Sequence, residues 1–217
     1  MFAAHPDDDI LGCGGSLAKN VKMGNQVSAC YMTSGESGGL DYSKQELQRI
    51  REQEAKNAAE TIGFQDLTFL RNPDGYLTYD QENLKKLVHL IREKQPHLVY
   101  VHHRQDGHQD HKVTYQLVNE ALTRAEAHLF QEYKGTPWHT DAVLTYEVWT
   151  PLLHFNYVED ISNFINKKIA ALKKHESQLK IARYDEAFQG LATYRGALTG
   201  KGKHCEVFKI TKLSNLP

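Results

Sequence analysis

The sequence predicts an α/β protein: a mostly parallel, Rossmann-like sheet with helices on both faces. Two observations carry this prediction. Short apolar runs of strand character alternate with longer segments of helical periodicity. The run at 97–101 (HLVYV) is apolar at nearly every position, as in a strand buried on both faces. Because no repeat, low-complexity tract or Pro/Ser-rich linker interrupts this alternation, residues 1–217 are predicted to form one domain.

The predicted elements follow one another in the order that such a sheet requires. Only Met1–Ala4 precede the first polar turn, so the first strand is predicted to be truncated. Ser43 and Glu46 form a capping box that opens a helix, and Gly63 ends it. The other strands are predicted at 26–33, 66–70, 97–101, 141–149 and 205–210, and the other helices at 81–94, 111–129, from a cap at Asp160, and at 181–198.

The composition excludes several classes of protein. Net charge is −1, from 26 basic and 27 acidic residues, which gives no support for a nucleic-acid partner. Three widely spaced cysteines form neither a zinc ribbon nor a redox motif, so a reduced, cytoplasmic setting is expected. No apolar run approaches the ~20 residues of a membrane span.

Polar loops follow the predicted strands at 5–9, 34–42, 72–76 and 102–111. In parallel sheets such loops meet at the carboxyl edge, where ligands bind. The first loop, HPDDD, concentrates three carboxylates that repel one another unless a cation is present. A turn that caps the following helix is the plainer explanation of these residues.

The first and last of these loops together offer histidine and aspartate side chains. Two imidazoles and one carboxylate with an open position form a typical catalytic zinc or ferrous site. A further carboxylate can take a proton from water, and a further histidine can donate one or stabilise an oxyanion. His108 and His111 are three residues apart at a helix start and can share one face. The inventory fits the hydrolysis of an amide.

These motifs resemble those of the PIG-L/LmbE-type zinc-dependent de-N-acetylases. AHPDDDILGCGGSLA is similar to their opening motif, and DGHQDH at 106–111 to their second motif, D-x-H-x-D-H. The resemblance covers nearly the whole chain in the order of the family. Its further motifs are TSGE at 33–36, Arg51-x-x-Glu54, PDG at 73–75, Tyr146-Glu147, His175-x-Ser177-Gln178 and CEVF at 205–208. Asp9 stands where the family usually has glutamate.

The resemblance implies a role for each matching position. His5, Asp8 and His111 would hold the metal, Zn²⁺ with Fe²⁺ as the alternative. Asp7 would be the general base for the attacking water. His108 would act as the acid or oxyanion stabiliser, with Asp110 orienting it. The implied substrate is a small amino-sugar conjugate that carries an N-acetylglucosamine-type group, and homo-oligomers are common in the family.

Four further residues are candidates for hydrogen bonds to sugar hydroxyls, and for each of them a plain structural role is the alternative: Glu36, Arg51, Asp74 and Glu147. Tyr76, Tyr79, Trp138 and Trp149 could supply a stacking wall, and a place in the core is the plainer alternative for each of them. Other functions remain open at this point. They are an amidase for another small amide, a non-catalytic metal- or sugar-binding protein, and a ferrous oxygenase, which the strand–helix alternation disfavours.

Overall fold

The computed structural model describes residues 1–39, 41–129 and 132–214. Its strands are β1 (Phe2–Ala3), β2 (Ser28–Thr33), β3 (Asp66–Asn72), β4 (Leu98–His102), β5 (Ala142–Tyr146), β6 (Tyr157–Asp160) and β7 (Cys205–Leu213). Its helices are α1 (Asp8–Lys22), α2 (Lys44–Ile62), α3 (Gln81–Lys94), α4 (Gln109–Glu126), α5 (Ile165–Leu172), α6 (Glu176–Leu179) and α7 (Tyr184–Thr199).

The strands lie in two sheets. One has the order β1-β2-β3 and is parallel throughout; the other has the order β4-β5-β7-β6, in which β4 and β5 are parallel and β7 is antiparallel to both of its neighbours. The predicted fold class, α/β with mostly parallel pairing, is confirmed. The expectation of one continuous sheet was wrong for the described residues, because the two-residue β1 packs beside β4 without a strand ladder.

Two side chains bridge the division between the sheets. His102, the last residue of β4, accepts the backbone N–H of Ala4 on its Nε2 at 3.0 Å. Tyr146, the last residue of β5, donates its hydroxyl to the carbonyl of Phe2 at 2.9 Å. The Tyr146 ring lies so close to α1 that a Cβ on Gly12 would come within 2.2 Å of it. Glycine at this position therefore allows α1 to approach the sheet.

Helices cover both faces of the sheets, as predicted. Alternating residues of β2 point to opposite faces, since Tyr31 packs in the cluster formed with α1 and α2, and Met32 in the cluster formed with α3 and α4. On β4, Tyr100 packs in the first of these clusters and Val101 in the second. This arrangement leaves the carboxyl ends of β1, β2 and β4 for the polar loops.

The boundaries of α2 and α3 agree with the prediction, including the Ser43 capping box and the left-handed Gly63. The region before α5 differs from the prediction. Asp160 was predicted to cap a helix, but it ends β6, and its carboxylate accepts the N–H and hydroxyl of Ser162. The helix begins five residues later, at Ile165. β6 escaped prediction because its four residues carry no apolar run.

Helix α1 is broken near its middle. Cys13 has non-helical angles (φ −143°, ψ 21°), so the amides after it lose their intrahelical acceptors. The Glu206 carboxylate on β7 replaces those acceptors by taking the N–H groups of Gly15 (2.9 Å) and Ser16 (2.8 Å). The Lys168 ammonium pairs with the same carboxylate at 2.7 Å, and both side chains are buried.

No helix in the described ranges is long and apolar enough to cross a bilayer. Residue 40 of the predicted 34–42 loop, and residues 215–217 of the predicted domain, lie outside the described residues. The assignment of residues 1–217 to a single domain stays a prediction.

Candidate metal centre and active site

Three side chains place donor atoms of metal-ligand type within van der Waals distance of one another. Nδ1 of His5 lies 3.2 Å from Oδ2 of Asp8 and 3.2 Å from Nε2 of His111, and the last two atoms are 3.3 Å apart. Ligands 2.0–2.1 Å from a tetrahedral zinc ion are about 3.3 Å from each other. All three side chains are buried. The residues therefore fit a small divalent cation of this kind.

The remaining nitrogens of the two imidazoles face carboxylates. Nε2 of His5 lies 3.0 Å from Oδ1 of Asp74 and 3.4 Å from Oδ2 of Asp110. Nδ1 of His111 lies 3.0 Å from Oδ1 of Asp106. Histidines that bind metals usually donate their second ring N–H to a carboxylate, which fixes the tautomer and the ring orientation. This second layer supports His5 and His111 as ligands.

His102 is a third buried histidine near these donors, and its Nε2 lies 3.3 Å from Oδ2 of Asp8. Because this nitrogen already accepts the N–H of Ala4, its lone pair is engaged. The ring stacks on His111, with centroids 3.8 Å apart. His102 therefore holds the His111 ring in place, and no role was predicted for it from the sequence.

Asp7 has a strained backbone, with φ of 140°, in a region that residues other than glycine seldom adopt. Arg51 of α2 holds it in place. One guanidinium nitrogen lies 3.1 Å from Oδ2 of Asp7 and donates to the carbonyl of Pro6 at 2.9 Å. Another donates to the carbonyl of Gly35 at 3.0 Å. Arg51 thus fixes the Asp7 carboxylate next to the triangle of donor atoms.

The adjacent carboxyls of Asp7 and Asp8 have opposite pKa shifts. Burial raises the pKa of Asp7 to about 7, although the Arg51 guanidinium opposes the shift. Burial acts in the same direction on Asp8, but the imidazoles of His111 and His102 hold its pKa well below the usual value. Asp8 is therefore the permanent anion of the pair, and Asp7 is the one suited to exchanging a proton near neutrality.

His108 caps α4 and lies beside His5 and His111. Its ring centroid is 4.7 Å from that of His5 and 5.0 Å from that of His111. Nδ1 accepts the backbone N–H of Asp110 at 3.2 Å, so the neutral ring carries its proton on Nε2. Burial and the two neighbouring imidazoles lower the pKa of His108. A neutral imidazole with an N–H to donate suits an oxyanion.

The expectation that Asp110 orients His108 is met only by its main chain. The Asp110 carboxylate accepts the N–H groups of Gly75 at 2.8 Å and Leu77 at 3.2 Å. It also lies against Nε2 of His5. Its contacts therefore tie the 75–77 turn to His5, and the predicted catalytic role of Asp110 stays a prediction.

Of the candidate sugar-binding residues, Asp74 and Arg51 lie at the site, and Glu36 lies one contact behind it. Glu36 accepts the N–H of Asp74 at 2.8 Å. Asp74 in turn accepts the N–H of Ser37 at 2.8 Å. Burial raises the pKa of Asp74, but the hydrogen bond from His5 outweighs burial and brings the pKa to about 2. Asp74 is therefore an anion at any ordinary pH.

Glu147 does not have the contacts of a substrate ligand. Its oxygens pair with the Arg195 guanidinium at 2.9 and 2.5 Å, and one of them also accepts the N–H of Leu152 at 2.6 Å. The pair is buried. These contacts make Glu147 an anchor between the end of β5 and α7. A carboxylate that follows a strand looks the same in sequence whether its partner is a substrate or an arginine.

Two supporting contacts were missed although their residues lie in family-like motifs. Asp106 holds His111, and it also accepts the N–H groups of Trp149 and Thr150 at 3.0 and 3.2 Å. Glu54 accepts both the N–H and the hydroxyl of Ser177 at 2.7 Å. The second contact explains why the Arg51-x-x-Glu54 and His175-x-Ser177-Gln178 motifs occur together. An acidic residue on the buried face of α2 was the available signal.

Donor atoms of this type and spacing, at the carboxyl ends of parallel strands, define a class of protein: hydrolases that use a divalent cation on an α/β sheet. Comparisons with known proteins identify the family within this class. The chain belongs to the PIG-L family, since the family model described as GlcNAc-PI de-N-acetylase matches residues 1–122. It is accordingly an amidohydrolase of the deacetylase class.

The chain is 31% identical over 208 residues to the diacetylchitobiose deacetylase of Thermococcus kodakarensis. The aligned region covers 90% of this chain and 76% of the Thermococcus protein. The structure of N,N'-diacetylchitobiose deacetylase from Pyrococcus horikoshii, in complex with its inhibitor MPG, matches with a TM-score of 0.88 at 26% identity, over 97% of this chain and 82% of that one.

A third match shows the fold alone. It is GalB, the 4-carboxy-2-hydroxymuconate hydratase from Pseudomonas putida KT2440, with a TM-score of 0.86 at 21% identity, over 100% of this chain and 96% of that one. The same architecture therefore also carries a hydratase. The reaction of this chain has to be argued from its own site residues.

Proposed function

We propose that the protein removes the N-acetyl group from an N-acetylglucosamine-type conjugate by metal-assisted hydrolysis. The observation that carries the proposal is the triangle of donor atoms from His5, Asp8 and His111, 3.2–3.3 Å on each side, with Asp7 and His108 beside it. Binding alone requires only the triangle. The two additional groups are those that amide hydrolysis needs.

His5, Asp8 and His111 would hold the cation, for which we propose zinc, with ferrous iron as the alternative. A divalent cation bound there supplies Lewis-acid polarisation of the amide carbonyl and makes water more acidic. The two imidazole nitrogens and the low-pKa carboxylate of Asp8 are the donor set that such an ion prefers. The second layer of Asp74, Asp106 and Asp110 supports their orientation.

Asp7 is the proposed general base. Its carboxyl adjoins Asp8 in the chain, and Arg51 restrains it. It would take a proton from the water that attacks the acetyl carbon. His108, whose Nδ1 is occupied by the N–H of Asp110, would donate a hydrogen bond from Nε2 to the developing oxyanion. The proton that Asp7 has taken would then pass to the departing amine. The products are acetate and the free amine.

The substrate class comes from the relatives and from the polar rim of the site. A diacetylchitobiose deacetylase and a probable N-acetyl-alpha-D-glucosaminyl L-malate deacetylase are among the similar proteins. Asp74 and Arg51 place charged groups where sugar hydroxyls could be bound. We further propose that the protein works in the cytoplasm, from its three widely spaced cysteines, and as a homo-oligomer, from the family resemblance.

Acetate release from a panel of N-acetylglucosaminides, measured together with metal content, tests the function. We expect wild type to contain one divalent ion per chain and to release acetate. Asp7→Asn should retain the metal and lose activity by about 10²–10⁴-fold, the contribution of one general base. Asp8→Asn should lose both the metal and the activity. Asp9→Asn is the matched control, because its side chain meets Tyr31 and not the metal ligands.

Three results would contradict the proposal. Full activity of Asp7→Asn would remove Asp7 from the mechanism. Cleavage of other small amides in preference to every acetylated sugar would make the protein an amidase with a different substrate. Binding of metal and sugar without cleavage of any amide would make it a binding protein.

A further inference from the structure

Two buried side chains of the short helix α6, Ser177 and Gln178, have no part in the proposed mechanism. The N–H and the hydroxyl of Ser177 both donate to the Glu54 carboxylate at 2.7 Å. These bonds fasten α6 to α2, the helix that also carries Arg51. They therefore set the position of Gln178, which is the next residue along α6.

The Gln178 amide binds a turn that follows β2. Its Nε2 donates to the carbonyl of Gly38 at 3.0 Å. The N–H of Gly38 donates to the carbonyl of Gly35 at 3.2 Å, which closes a four-residue turn at 35–38. Nε2 also donates to Oγ of Ser177 at 3.2 Å, so both hydrogens of the amide are used. The amide therefore connects the last residue of the turn to α6.

The 35–38 turn packs bare backbone against Arg51. Nη1 of Arg51 donates to the carbonyl of Gly35 at 3.0 Å. A Cβ on Gly35 would overlap this nitrogen, and a Cβ on Gly38 would lie 2.8 Å from it. The Cβ on Gly38 would also lie 3.6 Å from Oε1 of Gln178. The guanidinium and the amide therefore adjoin the turn at the same glycine.

The other terminal nitrogen of Arg51 reaches the proposed base. Nη2 lies 3.1 Å from Oδ2 of Asp7 and donates to the carbonyl of Pro6 at 2.9 Å. Because the guanidinium is planar and rigid, a shift of the turn at Nη1 moves Nη2 as well. Contacts of 3.0–3.2 Å thus run without a break from Gln178 through the turn and Arg51 to Asp7.

The tip of the same turn is held by separate bonds. The N–H of Ser37 donates to Oδ2 of Asp74 at 2.8 Å, and its hydroxyl donates to the carbonyl of Asp74 at 3.2 Å. Asp74 is the residue that faces Nε2 of His5. Loss of the Gln178 amide should therefore loosen the turn where it meets Arg51 and leave the contact with His5 in place.

We infer that Gln178 is a positioning residue for Asp7, the proposed general base, and that it acts through the 35–38 turn and Arg51. The inference rests on the proposed function and adds to it a residue that contacts neither Asp7 nor the triangle of donor atoms. Without the amide, the turn no longer holds the guanidinium in one place. The Asp7 carboxylate then loses the fixed geometry that proton transfer from water requires.

Gln178→Met removes the amide and keeps the length of the side chain. We expect kcat for acetate release to fall by about tenfold, a part of the ~100-fold loss that a 1 Å displacement of a catalytic group causes. Metal content should not change. Gln53→Met is the matched control, because this exposed glutamine of α2 donates to Asn57 at 2.9 Å, and it should match wild type.

A double-mutant cycle with Arg51→Lys tests the route. If Gln178 acts through Arg51, Gln178→Met should lower kcat by less than about twofold in the Arg51→Lys background, because the contact that transmits its effect is already lost. Losses that multiply in the double variant would overturn the inference, as would full activity of Gln178→Met. Gln178→Glu places an acceptor against the carbonyl of Gly38 and should give the same result, so it decides the question if the methionine variant does not fold.

NMR gives a measurement that needs no turnover. In the zinc-loaded wild-type protein, the two Nη groups of Arg51 should give separate resonances, identified by their absence from Arg51→Lys. In Gln178→Met their hydrogens should exchange with solvent about tenfold faster, since one hydrogen bond that opposes local opening is lost. Gln53→Met should leave this exchange unchanged. A single averaged resonance in wild type, or an equal exchange rate in Gln178→Met, would overturn the inference.

The proposed function and this inference fail in different ways. If wild type releases acetate from no acetylated sugar, the proposed function is wrong, and the Arg51 resonances still decide whether Gln178 holds the guanidinium. If wild type releases acetate but the losses multiply in the double variant, the function stands and the inference is wrong.

Discussion

The backbone N–H of Ala4 donates to Nε2 of His102 across 3.0 Å, and the ring that accepts this bond stacks on His111. The His102 imidazole therefore holds two parts of the site in place. They are the backbone next to His5 and the ring of His111, both of which are proposed ligands. It does so at the division between the two sheets, where backbone pairing is missing among the described strands.

Replacing His102 with phenylalanine separates these two tasks, because a flat ring remains against His111 while the acceptor for Ala4 is lost. A buried N–H without an acceptor costs about 1–3 kcal/mol, so the free energy of unfolding in urea should fall by that amount. Tyr100→Phe on the same strand is the control, since its hydroxyl has only a 3.4 Å contact with Asn20. A stability equal to wild type would contradict the prediction.

Arg51→Lys should lower kcat by up to ~100-fold, as expected when a catalytic group moves by about 1 Å. One ammonium cannot reach the carbonyl of Pro6 and the carboxylate of Asp7 in the geometry of the guanidinium. Metal content should not change. Arg71→Lys, at an exposed guanidinium that pairs with the buried Glu52 away from the donor atoms, should match wild type in kcat. Loss of metal together with activity would show that Arg51 supports the ligands as well.

The buried pair of Lys168 and Glu206 should behave as a coupled unit. Glu206→Gln leaves an ammonium without its counter-charge in the core, which should cost about 3–5 kcal/mol. The double variant Lys168→Met/Glu206→Gln should be more stable than the sum of the two single changes predicts, by about 0.5–3 kcal/mol. Urea unfolding of all four proteins measures this coupling. Strict additivity would mean that the two charges act independently.

His175 should make the protein sensitive to acid. Burial, together with the neighbouring Arg51 charge, lowers the pKa of its imidazole from 6.5 to about 3. Between these two values the unfolded chain binds a proton that the folded chain does not. Stability is therefore full above pH ~6.5 and falls on acidification by up to ~1.4 kcal/mol per pH unit.

His175→Asn removes this titration, so its free energy of unfolding should change less than that of wild type between pH 6.5 and 4. The comparison isolates His175, because the carboxylates that also lose stability in acid are common to both proteins. Parallel pH profiles for the two proteins would refute the assignment.

Metal should stabilise the fold independently of catalysis. At a free zinc concentration 100 times its Kd, the free energy of unfolding should rise by about 2.7 kcal/mol over the chelator-treated protein. Asp8→Asn should show little of this gain, and Asp7→Asn should show nearly all of it. A gain of equal size in Asp8→Asn would place the ion elsewhere.

Residue patterns within single helices were sufficient to predict part of the fold. The Ser43 capping box, the Gly63 stop and the apolar period of α3 lie within single helices, and their boundaries were confirmed. The proposed ligand and acid–base residues also came from the sequence, because the HPDDD and DGHQDH motifs resemble those of the family, and their roles stay predictions. Their convergence followed from one rule, that loops after parallel strands share an edge.

What could not be predicted depends on partners far away in the chain. Glu147 and Asp74 both follow strands, yet one pairs with Arg195 and the other with His5, and nothing local distinguishes them. His102 looks like any histidine at the end of a strand until Ala4 and His111 are placed next to it. The division of the sheet likewise depends on two strands that are not neighbours in sequence.

The dependence of α1 on Glu206 has a consequence for how the molecule assembles. The residues of the proposed metal site at 5–8 leave the ribosome long before β7, because the carboxylate that satisfies Gly15 and Ser16 is 191 and 190 residues away from them. Until β7 has been synthesised, the second half of α1 lacks its acceptors, and Asp8 stands on an unsupported helix. The proposed metal site should therefore be able to bind its ion only late in synthesis, after β7 has packed against α1.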